Sequence, residues 1–336
     1  MRLGILVFIT QILLSGCFGS TTIKDVNEYG VKPMVKADIV PSEAQLEGQS
    51  YKVTIIDIND NGVPLADNAS VGTAIRGELI KHVSKSNVTM VDHNALPGLK
   101  KALQDKTGKF KTSKVDYALS GQVSNTSFKR EYVKLSTTKD KKGNIYITEP
   151  HCVYSALVQG NINIHSAAEK LDVVESVAIS GGANRSIDVP RHYRRCNDLS
   201  RTEVNSLIRE AGIKAVNRED VLLKNFFRPK GYVLERRIRG KQNIFKISLG
   251  KSNGLKADLL AEIYTAEKSK NPLTNKTTVN QSKIGSGTVS NKIDRKHAWI
   301  VVDDELVASQ VRLGDIVKIK YEKGFFGNIF NRSFNN

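Results

Sequence analysis

At 336 residues the chain is long enough for two domains with sizeable cores, and its 40% hydrophobic and 25% charged composition is that of an ordinary globular protein. A formal charge of +17 would suit a nucleic-acid binder in the cytoplasm, but the N-terminus argues for export, where nucleic acid is not met in bulk. Beyond the N-terminus no segment is apolar over enough residues to read as a membrane-spanning helix.

Met1 and Arg2 supply a short basic end, and residues 3–14 are apolar except for Thr10 and Gln11. A run of that length matches a signal-peptide core and falls short of the about 20 residues a spanning helix needs. It closes in Leu14-Ser15-Gly16-Cys17, which reads as a lipobox. Small residues precede the cut, and the thiol is the group there that can take diacylglycerol. Residues 1–16 are thus the expected signal peptide, and Cys17 the expected lipid attachment site. The alternative is an ordinary signal peptide with a chance cysteine. Phe18 follows where an aspartate would retain an enteric-type lipoprotein in the inner membrane. The expected location is therefore the outer membrane, lipid-anchored and facing the periplasm. Each buried CH2 of an acyl chain contributes roughly 0.8 kcal/mol, so several chains anchor firmly. Removing residues 1–16 takes away Arg2 and no acid, so +17 becomes +16. In the envelope that charge faces lipid headgroups, lipopolysaccharide phosphates or peptidoglycan carboxylates; a basic surface with no specific anion is the plainer reading.

Residues 18–50 lack a sustained period and read as part of a linker over 17–50. A strand is predicted at 51–57, with Asp60-Asn61-Gly62 as its turn. Val71, Ala74, Ile75, Leu79 and Val83 recur at three- and four-residue spacing, which predicts a helix over 67–84. A short strand at 87–92, a helix at 96–106 with Leu99 and Leu103 inward, and a strand at 115–123 follow. Residues 128–135 and 144–148 flank the polar turn 139–143 and predict a hairpin. Residues 152–165 are apolar on both sides early, as in a central strand. Another strand is predicted at 170–179. Ser200 and Glu203 form a capping box that opens a helix with Val204, Leu207, Ile208 and Ala211 inward. After the break at Arg228-Pro229-Lys230-Gly231, short strands near 232–238, 243–249, 257–265, 282–290, 297–303 and 315–322 suggest a small β-barrel. Gly254 and Gly314 mark the tight turns before two of them.

Cys152 and Cys196 remain after Cys17, and in an oxidising compartment they pair naturally as a disulfide; two free thiols are the alternative.

The order of lipobox, YKVTIIDIND, amphipathic helix, NVTMVDH, second helix and VDYALSGQV resembles the curli-secretion (CsgG-like) outer-membrane lipoprotein family. The C-terminal half resembles the barrel of the flagellar assembly protein T family through Gly254-Leu255 and Gly314-Asp315-Ile316-Val317, although Ala257 stands where the first turn usually has glycine. The resemblance covers most of residues 51–322 and speaks to fold more than activity. It implies an α+β protein: a CsgG-like α/β core with a mixed sheet and flanking helices over 51–227, a small barrel over 228–323, and a tail at 324–336.

No catalytic constellation is legible, so an enzyme is not expected, and no cofactor is implied. His82, His93, His151, His165, His192 and His297 have no metal-ligand spacing, so no metal is expected. Ile284-Gly285-Ser286-Gly287 leads into a strand and is no nucleophile elbow. Asp57 and Asp60 are explained by a strand end and a turn. Arg191, Arg194 and Arg195 beside Tyr193 form a candidate anion-binding patch, with a solvated loop as the alternative.

In the curli family two hairpins per subunit cross the outer membrane, and residues 124–150 and 170–198 would supply them here. A lipid-facing strand needs about 9–11 residues of alternating apolar character. Phe128, Arg130, Tyr132 and Lys134 alternate with Lys129, Glu131, Val133 and Leu135, so both faces carry charge. Residues 171–179 lack a matching return arm. The favoured reading is a structural or assembly component of a cell-envelope machine, of secretion or flagellar type, working as a homo-oligomer or within an envelope complex. An oligomeric secretion pore and an activator of a peptidoglycan synthase are the alternatives.

Overall fold

The computed structural model describes residues 21–46, 50–86, 88–104, 114–167, 171–270, 272–275 and 277–322. The signal peptide, Cys17 and the tail at 324–336 lie outside them. The chain is α+β, and most of its strands belong to two sheets.

The N-terminal stretch carries β1 (Gly30–Lys32) and the short helix α1 (Glu43–Leu46). The first sheet begins with β2 (Tyr51–Asn59), whose Val53, Ile55 and Ile58 are buried. Two helices follow, α2 (Pro64–Ala69) and α3 (Val71–Val83), where the sequence predicts one. The break is at Ser70, in left-handed backbone at φ 52°. The cause is close packing: a Cβ on Gly72 would lie 2.3 Å from the Ile58 carbonyl oxygen, and the Gly72 N–H donates to Asp60 at 2.7 Å. The apolar period survives the break, with Val71, Ile75, Leu79 and Val83 all buried.

Next come β3 (Val88–Met90), α4 (Leu99–Gln104), β4 (Tyr117–Val133), β5 (Ser136–Lys139), β6 (Ile145–Thr148), β7 (His151–Ser166) and β8 (Asp172–Asp188). The sheet order is β3-β2-β4-β7-β8, with β2 parallel to β3 and β4, and β4, β7 and β8 antiparallel. The strand predicted at 152–165 is central, as its pattern suggests. The hairpin is paired differently from the expectation. Phe128 lies opposite Ala156 and Val133 opposite His151, while Ser136–Lys139 and Ile145–Thr148 form a separate two-stranded tip. Phe128 and Tyr132 pack against the core, so β4 continues past 123 to bury them; the tip has no such face. The segment at 171–179 does have a partner, because β8 runs along β7 from Ser166 to His151.

The capping box at Ser200 and Glu203 opens α5 (Arg201–Arg218), and α6 (Asp220–Phe226) follows. Leu207, Ile208, Ala211 and Ala215 of α5 are buried in one core with Cys152, Tyr154, Ala156 and Val158 of β7.

The second sheet contains β9 (Lys230–Arg239), β10 (Gln242–Ile247), β11 (Leu260–Lys270), β12 (Thr277–Ile293), β13 (Ala298–Val302) and β14 (Ile316–Lys320). Their order is β9-β10-β13-β12-β11-β14, and β14 pairs back onto β9, so six strands close a barrel. Gly254 and Gly314 take φ 77° and 94° before β11 and β14, which is where the sequence asks for glycine. A short helix, α7 (Glu305–Gln310), was not legible; the Asp304 carboxylate caps it by accepting from the Leu306 and Val307 N–H groups.

The N-terminal stretch is not a free linker. β1 pairs with β9, with Gly30 opposite Ile238. Ile23 is fully buried with Tyr29, Ile244, Trp299 and Val301, and the Tyr29 hydroxyl donates to Gln242 at 2.6 Å. Ile39 and Leu46 pack on Tyr232 and Ile316. These apolar residues come singly along the chain and pack on the outside of the barrel, so they leave no period in the sequence.

The barrel meets the first sheet at one end of it. Phe226 stands edge-on to Tyr117 at 5.3 Å, Phe227 edge-on to Tyr51 at 6.4 Å, and the Asn225 side chain bonds both the N–H and the carbonyl of Tyr321 at 2.8 Å. β4 starts at this junction and runs 17 residues away from it, about 55 Å at roughly 3.4 Å per residue.

Candidate functional site

The far end of that sheet gathers the exposed features of the fold. Cys152 on β7 and Cys196 in the loop after β8 form the expected disulfide, with their Cα atoms 5.5 Å apart. The bond fixes the loop over the sheet, and hydrogen bonds reinforce it. The Tyr154 hydroxyl donates to the Asn197 carbonyl at 2.6 Å, the Tyr132 hydroxyl donates to the Tyr193 carbonyl at 2.7 Å, and Arg130 pairs with Asp198. Within the candidate anion patch, Arg191 is already committed. Its guanidinium donates twice to Glu149, at 2.6 and 3.0 Å, which raises its pKa and lowers that of Glu149. Arg194 and Arg195 are exposed on the same loop. The loop is thus basic but held by an internal ion pair, and it does not present three free guanidinium groups.

Beyond the loop projects the β5–β6 tip. Asp140 organises its turn by accepting from the Lys142 and Asn144 N–H groups and the Asn144 amide at 2.8–2.9 Å, contacts that hold its carboxyl below the usual range. Leu135, Ile145, Tyr146 and Ile147 are exposed around it, the last three each more than half so. Lys139, Lys141 and Lys142 flank them. Such a run of exposed apolar side chains on a protruding hairpin is the usual mark of a contact surface. The edge strand of the sheet is β8, 17 residues long, which runs from the barrel end, where Val173 and Val174 are exposed, to the tip end, where Ile187 is exposed. A long open edge is a template for another strand.

A separate polar cleft of about 1000 Å³ opens on the sheet face opposite α5, near the end of β2. Asp57, Arg76, Ser120, Gln122, Asn161, Asn163 and His165 are among its walls. Arg76 donates to the Ile55 carbonyl at 3.2 Å, with Asp57 at 3.9 Å. His165 is nearly buried, and burial lowers its pKa. The neutral ring then donates from Nδ1 to the Leu171 carbonyl at 3.2 Å and accepts at Nε2 from the Ser120 hydroxyl at 2.8 Å. Sequence reading treats His165 as an isolated histidine; the Ser120 contact joins residues 45 apart and leaves no local signal. Asp60 is spent on the start of α3, so Asp57 and Asp60 do not act as a carboxylate pair. The lining combines hydroxyl and amide groups with the Arg76 guanidinium and the carboxylates of Asp57, Asp60 and Asp172. Among the described residues, no group of three or more His, Cys, Asp or Glu side chains is placed to hold a metal ion, and no helix is long and apolar enough to cross a membrane.

No protein-family model and no curated protein matches the chain. Among solved structures it is similar to a dodecamer of PelC L103M from Paraburkholderia phytofirmans, at 14% identity, over 56% of this chain and 99% of that one, with a TM-score of 0.21. A TM-score that low does not establish a shared fold, and the curli-secretion resemblance rests on its motifs.

Proposed function

We propose that this chain is an outer-membrane-anchored periplasmic lipoprotein that serves, without enzymatic activity, as a structural or assembly component of a cell-envelope machine of secretion or flagellar type. The observation that carries the reading is the open edge of β8, which runs 17 residues from the barrel end of the first sheet to the end that carries the exposed apolar tip. An edge of that length is satisfied by strand addition from a second copy or a partner protein.

The anchor fits the same picture. Cys17 precedes the buried Ile23 by six residues, a span of at most about 20 Å. A lipid on Cys17 would hold the barrel close to the membrane, with the far end of the sheet directed to partners. A pore fits less well. The buried face of β7 is covered by α5, so lipid cannot reach it, and the outer half of β4 carries charge on both faces through Lys129, Arg130 and Glu131. The synthase-activator reading needs a long free tether, whereas residues 21–46 are bound to the barrel.

Electron microscopy and mass measurement of the detergent-extracted full chain test the proposal. Rings, stacked oligomers or a defined complex with envelope proteins are expected. A protein that stays monomeric and partnerless in detergent and in reconstituted membranes would count against it.

A further inference from the structure

On the outer face of the barrel, beside the junction with the first sheet, strand register brings an unusual set of charges together. Lys230 of β9 lies directly opposite Lys318 of β14, and Lys318 lies directly opposite Glu262 of β11. Like charges directly opposite one another in an antiparallel pair are destabilising. Glu262 does not resolve the conflict, because its oxygens are taken. Oε2 accepts from Arg228 Nη1 at 2.6 Å and from the Tyr264 hydroxyl at 2.9 Å, and Oε1 accepts from Lys283 Nζ at 2.8 Å.

The two facing lysines are left with weak, neutral company. Lys318 Nζ donates to the Gln281 amide oxygen at 3.0 Å and stands 4.5 Å from the Tyr264 ring centre. Lys230 Nζ stands 5.6 Å from the Tyr232 ring centre. Both side chains are half-buried, and burial lowers both pKa values. Arg228 and Lys230 lower that of Lys318 further, while Glu262 opposes them. Four cations therefore share one carboxylate, and the ion pairs of the cluster run from Glu262 to Arg228 and Lys283.

We propose that Lys230 and Lys318, backed by Arg228, form a binding site for a phosphate-class oxyanion. Two unmatched ammonium groups call for a dianion, and lysine binds phosphate as a compact point charge. A carboxylate would leave one charge unmet. The same chemistry is offered by free phosphate and by a lipid headgroup that ends in a phosphomonoester. The site stands on the barrel alone and holds whether or not Cys17 carries lipid.

The test uses the full chain in nonionic detergent and the double variant Lys230→Met/Lys318→Met, which keeps the aliphatic stems and removes the charges. Thermal unfolding is followed in inorganic phosphate and in chloride of equal ionic strength. Near saturation the wild type should gain about 4–8 °C in phosphate, and the variant should gain none. In chloride the variant should be at least as stable as the wild type, because the facing charges are gone. Micelles doped with phosphatidic acid, whose headgroup is a phosphomonoester, form the second arm. A shift with these but not with inorganic phosphate assigns the site to a lipid headgroup; a shift with both shows that the phosphate group suffices. The proposal is overturned by no shift beyond chloride in either arm, by equal shifts in wild type and variant, or by a variant less stable than wild type in chloride.

Discussion

Gly181 of β8 lies directly beneath Ala215 of α5: a methyl group at residue 181 would come within 2.2 Å of the Ala215 amide nitrogen and 2.3 Å of the Ala211 carbonyl oxygen. Helix and strand touch backbone to backbone. That contact keeps α5 on the long antiparallel strands and closes their inner face to lipid or to a channel lumen.

Gly181→Ala should therefore cost stability, by about 1–3 kcal/mol or more, since backbone cannot yield as a flexible side chain can. Gly182→Ala is the internal control. Its added methyl would meet the Ala156 carbonyl at an ordinary 3.5 Å. Chemical denaturation of the two variants should separate them clearly. Equal costs would show that glycine is required for something other than this approach.

Replacing both Cys152 and Cys196 with alanine should destabilise the protein. At a sequence separation of 44, the chain-entropy estimate is about 4 kcal/mol. The far loop should loosen first, raising proteolysis near residues 190–198 before the barrel is touched. A peptide map of the native protein that finds both cysteines as free thiols would remove the basis for this.

Glu262 gives a pH signature. Burial pushes its pKa up, but hydrogen bonds from Lys283, Arg228 and Tyr264 outweigh that and hold it at about 2. A depressed carboxylate contributes stability that is fully present above its unfolded pKa and is lost as pH falls through the folded one. The window is thus from about pH 5 down to about pH 2, and the contribution is on the order of 3 kcal/mol. Glu262→Gln should be clearly less stable than wild type at neutral pH, because Arg228 and Lys283 lose their partner. The gap should narrow steadily below pH 5. A gap that is constant with pH would mean that Glu262 acts through packing alone.

What the sequence could reveal follows the range of each interaction. The Ser200–Glu203 box, the period through Val71, Ile75, Leu79 and Val83, and the glycines at 254 and 314 act within a few residues, so they were legible. The six barrel strands were legible as alternating runs. Long-range choices were not. Nothing local says that Phe128 pairs with Ala156 rather than across the 139–143 turn; the buried face decides it. Ile23 and Tyr29 look like linker residues because each finds its partners more than 200 positions away, in β10 and β13. The Lys230–Lys318 opposition exists only once β14 closes onto β9.

Cys17→Ser should release the protein from membranes or leave it with an uncleaved signal. Given the short span from Cys17 to Ile23, the wild-type barrel should also be shielded. Cysteines placed near Lys24 or Lys292 should label more slowly in membranes than in the released form. Carbonate-resistant membrane association of a Cys17→Ser protein whose signal has been removed would sink the anchoring proposal.

The last prediction concerns where the far end of the sheet lies. If the chain assembles in the periplasm, the β5–β6 tip meets water or a partner protein. If it makes a pore, the tip emerges outside the cell and the strands below it touch lipid on alternate residues. Charge already favours the first outcome, since Lys129, Arg130 and Glu131 fall on both faces of the outer half of β4, and a basic residue at the bilayer midplane costs about 2–4 kcal/mol. The fold adds an independent reason, because β4 and β7 are tied there by the Cys152–Cys196 bond and by the Tyr132–Tyr193 and Tyr154–Asn197 contacts to a polar loop. Single cysteines along residues 128–148, in a background with Cys152 and Cys196 replaced, distinguish the two. The tip sites at 139–147 should be unreachable by impermeant reagents added to intact cells and should become reactive once the outer membrane is opened. On the proposed reading, in which the exposed apolar tip meets a partner, Ile145→Asp/Ile147→Asp should leave folding intact and weaken assembly. Labelling of the tip from outside intact cells, with two-residue alternation of lipid-probe contact along 128–135, would overturn the periplasmic assignment and restore the secretion pore.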